Sequence, residues 1–392
     1  MIKIVFVSNY FNHHQSSLSD ALYRRKDIVD YHFIETIPME AERKNMGWQP
    51  ETLPPYVLSA YQSDAVREKC MKLIREADCV IVGSDMSLDR YMVQRHREKG
   101  FIFRCSERFY RHKVPMWQLP LRFVKNYWRF GRFQNEYLLC SSAFTAADAA
   151  LTHSFMGKTY RWGYFPETKN YDSETLCARK REKSVVTILW VGRLLPLKHP
   201  EFAIAAAKHL KTQNIPFSMR IIGAGEMEET IRRMIQDQKL SDHVEMLGFM
   251  SPEEVRAHME QADIYLFTSD RQEGWGAVLN ESMNSGCAVV ASHVIGSVPF
   301  LIQDGKNGFI YRDGDEEQFC RIIEKLAGNS SLREKIGSAA YSSIISEWNA
   351  EIAAERLILL YEDLKATGKS TRFQTGPCSP APILPDDWFF AG

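Results

Sequence analysis

The chain has 392 residues, 45% of them hydrophobic and 25% charged, with 49 Lys and Arg against 49 Asp and Glu. That length exceeds what one hydrophobic core serves and implies two domains with a cleft between them, while the neutral balance speaks against nucleic acid as a partner. No window reaches the roughly 18 consecutive apolar residues of a membrane span, and the start MIKIVFVSNYF has a strand pattern in place of a signal peptide.

A cytoplasmic location is therefore expected. The eight cysteines are scattered with no C-x-x-C pair, and several lie in apolar runs, which reads as buried free thiols.

In chain order, β-branched runs alternate with amphipathic stretches: IKIVFVS (2–8), YHFIE (31–35), CVIVGS (79–84), FIFR (101–104) and YLLCSS (137–142). A second series begins at VVTILWVG (185–192) and continues through SMRIIG, HVEMLG, DIYLFTS, CAVVAS and GFIY, with helix patterns at 200–212, 226–239, 251–261 and 276–285. Strands alternating with helices predict parallel sheets covered on both faces, so the fold class is α/β with two doubly wound domains. The polar, aperiodic stretch within 171–184 reads as a linker. The expected organisation is a domain over 1–170, that linker, a second domain over 185–347, a helix over 348–366 and an irregular tail over 367–392 that contains four prolines.

Ligands of open α/β sheets sit at the carboxyl ends of strands, so the loops there carry the functional candidates. After ILWVG, Gly192 and Arg193 end a strand and Lys198 precedes His199-Pro200. Two cations converging there suit a diphosphate whose charge grows as it departs, or they are solvated loop cations. In IIGAGEMEE, Gly223 and Gly225 permit a tight turn near a ligand. With Glu245 some 20 residues on, they also admit a dinucleotide-binding reading, although the third glycine of that motif is lacking.

The segment RQEGWGAVLNESMNSG places Glu273 and Glu281 eight residues apart around Gly274, Trp275 and Gly276. Open backbone before a helix leaves N–H groups for a phosphate or for sugar oxygens. Each carboxylate can accept hydrogen bonds from a vicinal diol, or can simply compensate the helix dipole. Asp313-Gly314-Asp315 has the form of a metal-binding D-x-D, but its place before a helix is explained by a turn with an Asp cap, so no metal is expected.

The ordered set G-R-L-x4-K (192–198), I-I-G-A-G (221–225), L-G-F (247–249), T-S-D-R-Q-E-G-W-G-x4-E (268–281) and G-S-V-P-F-L-I-x-D-G-x-N-G (296–308) resembles the nucleotide-binding half of retaining glycosyltransferases of family 4. The resemblance covers roughly 185–345. It implies the GT-B architecture, two Rossmann-like domains facing a cleft with the C-terminal helix crossing back to the first. It also implies transfer of a hexose from a nucleotide sugar, with UDP as the expected nucleotide and no cofactor, to a glycan or lipid-linked acceptor in surface polysaccharide or glycolipid synthesis. On that resemblance Glu273 would contact hexose hydroxyls, Glu281 would hold the ribose, and Arg193 and Lys198 would bind the diphosphate. The backbone at Gly274, Trp275, Gly276, Ala277 and Val278 would cup sugar and phosphate, beside Gly192, Gly223 and Gly225. Other readings are an NAD-dependent oxidoreductase and a silent nucleotide-sugar-binding module.

The first half departs from the family pattern. Its first loop, SNYFNHHQSS, has no glycine and offers Asn12, His13, His14 and Gln15 to the donor phosphates or the acceptor. The later loop CSERFYR offers Glu107, a candidate contact for the acceptor hydroxyl, where the family often has a histidine. Between 95 and 132 eleven Lys and Arg face only Glu98 and Glu107 among many aromatics. That composition reads as a membrane-surface or lipid-pyrophosphate contact at the inner face of the membrane, or as a basic helix packing its aromatics inward.

Overall fold

A computed structural model describes residues 1–41, 44, 48, 50, 52–83, 85–98, 100–112, 114–172, 176 and 185–390. Most of the expected linker lies outside them, as do Lys99 and Lys113 of the basic stretch and Cys177. The chain folds as two compact units, one of Met1–Glu167 with Asn349–Asp386, the other of Thr168–Trp348 with Asp387–Gly392.

The first unit holds a seven-stranded parallel sheet in the order β3-β2-β1-β4-β5-β6-β7. Its strands are β1 Ile2–Ser8, β2 Val29–Glu35, β3 Val57–Ser59, β4 Cys79–Val82, β5 Phe101–Ser106, β6 Glu136–Cys140 and β7 Thr159–Arg161. The central strands are covered on both faces, so they read as continuous apolar runs; all four residues of β4 are buried. β3 and β7 have three residues each, too short for a periodic signal in the sequence.

The helix Ala350–Thr367 belongs to this unit and packs on the helix His13–Arg24, whose C-cap residue Arg25 is bonded to Glu351 at 2.9 Å. Asn349 caps its start by accepting from the Ile352 amide, and Gly368 ends it in the left-handed conformation. The tail after it has no helix, yet it is not loose. The Cys378 and Ala381 amides donate to Arg161 and Thr159, Arg161 donates to Ser379, and the run lies antiparallel beside β7 with Cys378 buried. Prolines that exclude a helix are compatible with this edge pairing.

The second unit holds a six-stranded parallel sheet in the order β10-β9-β8-β11-β12-β13. Its strands are β8 Val186–Val191, β9 Phe217–Ile222, β10 Val244–Gly248, β11 Ile264–Phe267, β12 Ala288–Ser292 and β13 Phe309–Tyr311. Its core joins Ile188, Trp190, Met219, Ile221, Leu266 and Val290 to Ala203, Ala207 and Ile323 of the covering helices. The chain runs outward through β9 and β10 and then returns to place β11 beside β8, so the strand order reverses between β8 and β11. At such a reversal the loops diverge to opposite faces and leave a crevice at the strand ends. Seven cysteines are free among the described residues, six of them buried.

Candidate active site

Three loops of the second unit meet at the carboxyl ends of β8, β9 and β11. Leu194 donates to the Ala224 carbonyl at 2.9 Å and Met227 donates back to the Leu194 carbonyl at 3.0 Å. Glycine is required for that contact. Gly223 has φ +135°, and a Cβ there would stand 1.8 Å from the Gly192 carbonyl oxygen; at Gly225 it would stand 2.5 Å from that of Leu194. Loop packing accounts for both glycines without a dinucleotide. A dinucleotide fingerprint would belong to the turn after the unit's first strand, where Gly192 is the single glycine before Glu201.

The loop after β8 turns through Pro196–Lys198 and puts His199 in the left-handed conformation, φ 47°. It is fastened to the loop after β11. The Lys198 carbonyl accepts from the Thr268 hydroxyl at 2.6 Å, the Leu197 carbonyl accepts from the Asp270 amide at 2.9 Å, and the Trp190 indole donates to Thr268 at 2.9 Å. The side chains of Lys198 and Glu273 meet as an ion pair, each less than one-fifth exposed, and the Ser269 hydroxyl donates to the same Glu273 oxygen at 2.9 Å. Arg193 is exposed in the same loop.

Glu281 lies in the first turn of the helix Val278–Asn284, which follows a backbone reversal at Gly276, φ +77°; a Cβ there would meet the Phe267 ring at 2.2 Å. Trp275 turns into the core, donating to Asn280 at 2.9 Å and packing on Phe300 and Trp348, so its backbone and not its ring is left to the site. Burial raises the Glu281 carboxyl to about 7, against the attraction of Arg256. The Tyr265 phenol of β11 is pushed up by burial first, and then by Glu281, Cys287 and Glu273. Both carboxylates therefore act electrostatically on one buried hydroxyl.

His199 and Asp270 complete this site, and spacing alone did not single them out. The His199 Nδ1 lies 2.6 Å from Glu201 and its Nε2 lies 3.8 Å from Asp270. The bond to Glu201 raises its pKa against burial, and Asp270 and Asp313 add to the rise. Asp315 caps the helix Glu316–Ala327 by accepting from the Gln318 amide at 2.8 Å, and no cluster of His, Cys, Asp and Glu able to hold a metal occurs among the described residues.

In the first unit the candidates form a chain of contacts at the carboxyl ends of β1 and β5. Asn12 caps the helix His13–Arg24, His13 and His14 lie with ring centres 3.9 Å apart, and both rings meet Trp48 edge-on. His14 stacks on Tyr164 at 5.6 Å, and the Tyr164 hydroxyl donates to Glu107 at 2.7 Å. Burial lowers both histidines, His14 to about 3 with help from His13, so both rings are neutral at neutral pH. The Gln15 amide donates to Ser8 at 3.2 Å. Trp48 and Tyr164, which join His13, His14 and Glu107, carry no motif and are visible only in three dimensions.

The basic stretch divides. Arg95 is buried against the carbonyls of Arg75, Asp78 and Phe101. Arg104 pairs with Asp89 at 3.0 Å and Glu136 at 2.8 Å, Arg108 pairs with Asp148 and Asp386, and Arg129 pairs with Asp89. These four cations are structural and do not belong to a surface face: backbone carbonyls hold Arg95, and acids distant in sequence neutralise Arg104, Arg108 and Arg129. The exposed part narrows to about 111–132.

Residues 177–343 match the family described as Glycosyl transferases group 1. The amylovoran biosynthesis glycosyltransferase AmsK of Erwinia amylovora is 32% identical over 209 residues, 52% of this chain and 50% of its own. The chain thus spans about half the length of the curated relatives it matches. Among solved structures, Anabaena HepE in complex with UDP overlays with a TM-score of 0.66 at 16% identity, covering 93% of this chain and 100% of that one. Staphylococcus aureus TarM, solved with Fondaparinux, alpha-GlcNAc-glycerol and UDP, overlays at 0.66 and 13% identity, covering 92% and 100%. At such identities the likeness is one of fold, and that fold is GT-B.

Proposed function

We propose that this glycosyltransferase domain transfers a hexose from a UDP-sugar to a glycan or lipid-linked acceptor with retention of configuration, in the synthesis of a surface polysaccharide or glycolipid. The observation that carries the reading is the meeting of Lys198, Glu273 and Ser269 where the loops after β8 and β11 are fastened together. A cation and a carboxylate held side by side at a strand-order reversal suit a ligand that presents a diphosphate next to a hydroxylated ring. Arg193 and Lys198 neutralise the diphosphate as it leaves. Glu273 accepts from hexose hydroxyls, Glu281 accepts from the ribose diol, and the backbone from Gly274 to Val278 faces sugar and phosphate.

In the step proposed, the bond from the anomeric carbon to the phosphate oxygen breaks and the acceptor oxygen bonds to that carbon on the same face. The acceptor proton passes to a donor phosphate oxygen, so no protein nucleophile is required. In the first unit His13, His14, Gln15 and Glu107 are proposed to contact the acceptor or the donor phosphates; the neutral histidines can accept or donate without adding charge. The supporting relatives are a polysaccharide glycosyltransferase and two structures that contain UDP.

The test is a thermal-shift titration of the purified protein with UDP, GDP, ADP and NAD, followed by UDP release from UDP-sugars. A ligand at about 100 times its dissociation constant adds roughly 2.7 kcal/mol. A shift with UDP, and turnover that falls at least about a hundredfold in Lys198→Ala, is expected. A shift with NAD alone overturns the reading, and UDP binding without release from any UDP-sugar leaves a silent binding module.

A further inference from the structure

The helix Leu119–Asn126 is continued at both ends, by a tight turn over Met116–Gln118 and a wide one over Tyr127–Gly131. At about 100° per residue, Trp117, Leu121, Val124 and Trp128 fall on one stripe roughly 60° wide. All four face solvent, at 73%, 70%, 53% and 60% exposure, and Met116 beside them is 84% exposed. The opposite side holds the polar contacts: Asn126 donates to the Tyr110 and Thr152 hydroxyls at 3.3 and 3.0 Å, and Arg122 lies over the Tyr110 ring. A helix on a water-exposed surface has the reverse arrangement, apolar inward and polar outward. Seven of the 17 large hydrophobic side chains exposed among the described residues fall within 116–128, so this is a patch and not scatter.

Charge selects the occupant. From Arg108 to Asn135 the sequence has no Asp or Glu, and Lys125 and Arg132 are exposed beside the stripe. A second copy meeting this face across a two-fold axis would bring like charges together. A single-stranded nucleic acid would want aromatic platforms, whereas the middle of the stripe is Leu121 and Val124. Indoles at the two ends, aliphatic side chains between them and uncompensated cations at the flank fit the boundary between the headgroups and acyl chains of an anionic bilayer. No helix among the described residues is long and apolar enough to cross a membrane, which agrees with a helix lying on one.

We propose that the segment 116–128 is a bilayer wedge: Trp117, Leu121, Val124 and Trp128 enter the interface of an anionic membrane while Lys125 and Arg132 meet lipid phosphates. The inference stands on these residues alone and holds whether or not the transferase reading does.

Full-length protein is sedimented with phosphatidylcholine vesicles made with and without phosphatidylglycerol. Wild type pellets with the anionic vesicles, with a blue shift of tryptophan emission. The double variant Leu121→Glu, Val124→Glu keeps the wild-type melting temperature, because both side chains are exposed, and loses binding by roughly tenfold or more. Wild type left in the supernatant overturns the proposal. So does a double variant that pellets like wild type, which would mean attachment by charge alone, and so does a dimer in sedimentation velocity that the double variant dissolves without any vesicle binding. Displacement from vesicles by a single-stranded oligonucleotide that the stripe residues bind more tightly overturns it as well.

Discussion

Replacing Gly223 by alanine tests the claim that the donor loops are held in place by backbone contact. Its Cβ would stand 1.8 Å from the Gly192 carbonyl oxygen, against a floor of 3.0 Å for real contacts, so Gly192 must retreat by at least 1.2 Å. The obstructing atom is backbone and cannot rotate away. At φ +135° the alanine also carries about 1–3 kcal/mol of strain. A displacement of about 1 Å in positioning groups costs on the order of a hundredfold, so UDP affinity should fall by about that factor as Arg193 and Lys198 move with the loop. Gly248→Ala is the control: it too has positive φ, +71°, but nothing lies within 4 Å of its Cβ, and it should lose only about 1–2 kcal/mol of stability while affinity stays near wild type. Isothermal titration with UDP, beside circular dichroism melts of both variants, measures this. Folded Gly223→Ala with wild-type affinity would refute the reasoning.

Three further predictions concern titration and buried charge. Burial lifts the Glu281 carboxyl from 4.5 to about 7, so between those values the folded state binds the extra proton and stability falls as pH rises. Glu281→Gln should therefore melt higher than wild type at pH 8, by up to about 3 kcal/mol, and equally near pH 4, while binding UDP more weakly above pH 7; identical melts at both pH values would contradict this. His14 goes the other way: its folded pKa near 3 lies below the ordinary 6.5, so the unfolded chain binds the proton first and stability is lost as pH falls from 6.5 towards 3. His14→Phe, which keeps a ring against Tyr164, should flatten that acid loss in a stability titration. Arg104→Ala leaves Glu136, only 1% exposed, with His96 at 3.2 Å as its remaining charged neighbour and should cost about 3–5 kcal/mol by chemical denaturation, whereas a loss under about 1 kcal/mol would show that the pair is not needed.

The sequence made the second unit legible because β11, β12 and β13 are buried along their whole length and read as short apolar runs, while β8 and β9 keep most of their residues buried and β10 is marked by the Gly248 that ends it. β3 and β7 escaped because their three edge residues mix polar with apolar types and are only partly buried, whereas β13, equally short and also at an edge, is the fully buried run Phe-Ile-Tyr. The loop candidates Lys198, Glu273, Gly223 and Gly276 stood out by residue type at strand ends, and loop packing explains why glycine is needed where it occurs. Composition misled over 95–132. A count of cations cannot see that Asp89, Glu136, Asp148 and Asp386, brought from other elements, neutralise Arg104, Arg108 and Arg129. It also cannot tell which side of a helix faces out. Trp48 and Tyr164 gain their roles from neighbours far along the chain, and His199 joins a partner two residues on, Glu201, to a distant one, Asp270, which no local spacing encodes.

The Lys198–Glu273 pair itself makes the sharpest demand on the proposed function. With the two side chains in contact, Lys198 cannot give its full charge to a diphosphate until it leaves Glu273, and Glu273 holds both the ammonium and the Ser269 hydroxyl on Oε2, so a hexose meets a carboxylate whose charge is partly taken up by the lysine. Donor binding is then an exchange of partners, in which phosphate takes the lysine and sugar hydroxyls take the carboxylate. UDP, which lacks the hexose, supplies only half of that exchange and leaves Glu273 with Ser269 alone. Glu273→Gln removes the competing charge, so UDP should bind about threefold to tenfold more tightly, the equivalent of about 1 kcal/mol for a partly exposed pair. The same variant loses the carboxylate that orients the sugar, and its turnover of UDP-sugar should drop by about a hundredfold or more. Opposite changes in UDP affinity and turnover are not what a merely structural ion pair would give, since loss of structure lowers both together. Titration calorimetry with UDP beside a UDP-release assay separates the cases, and weaker UDP binding in a folded Glu273→Gln protein would show that Lys198 is not the group waiting for the diphosphate.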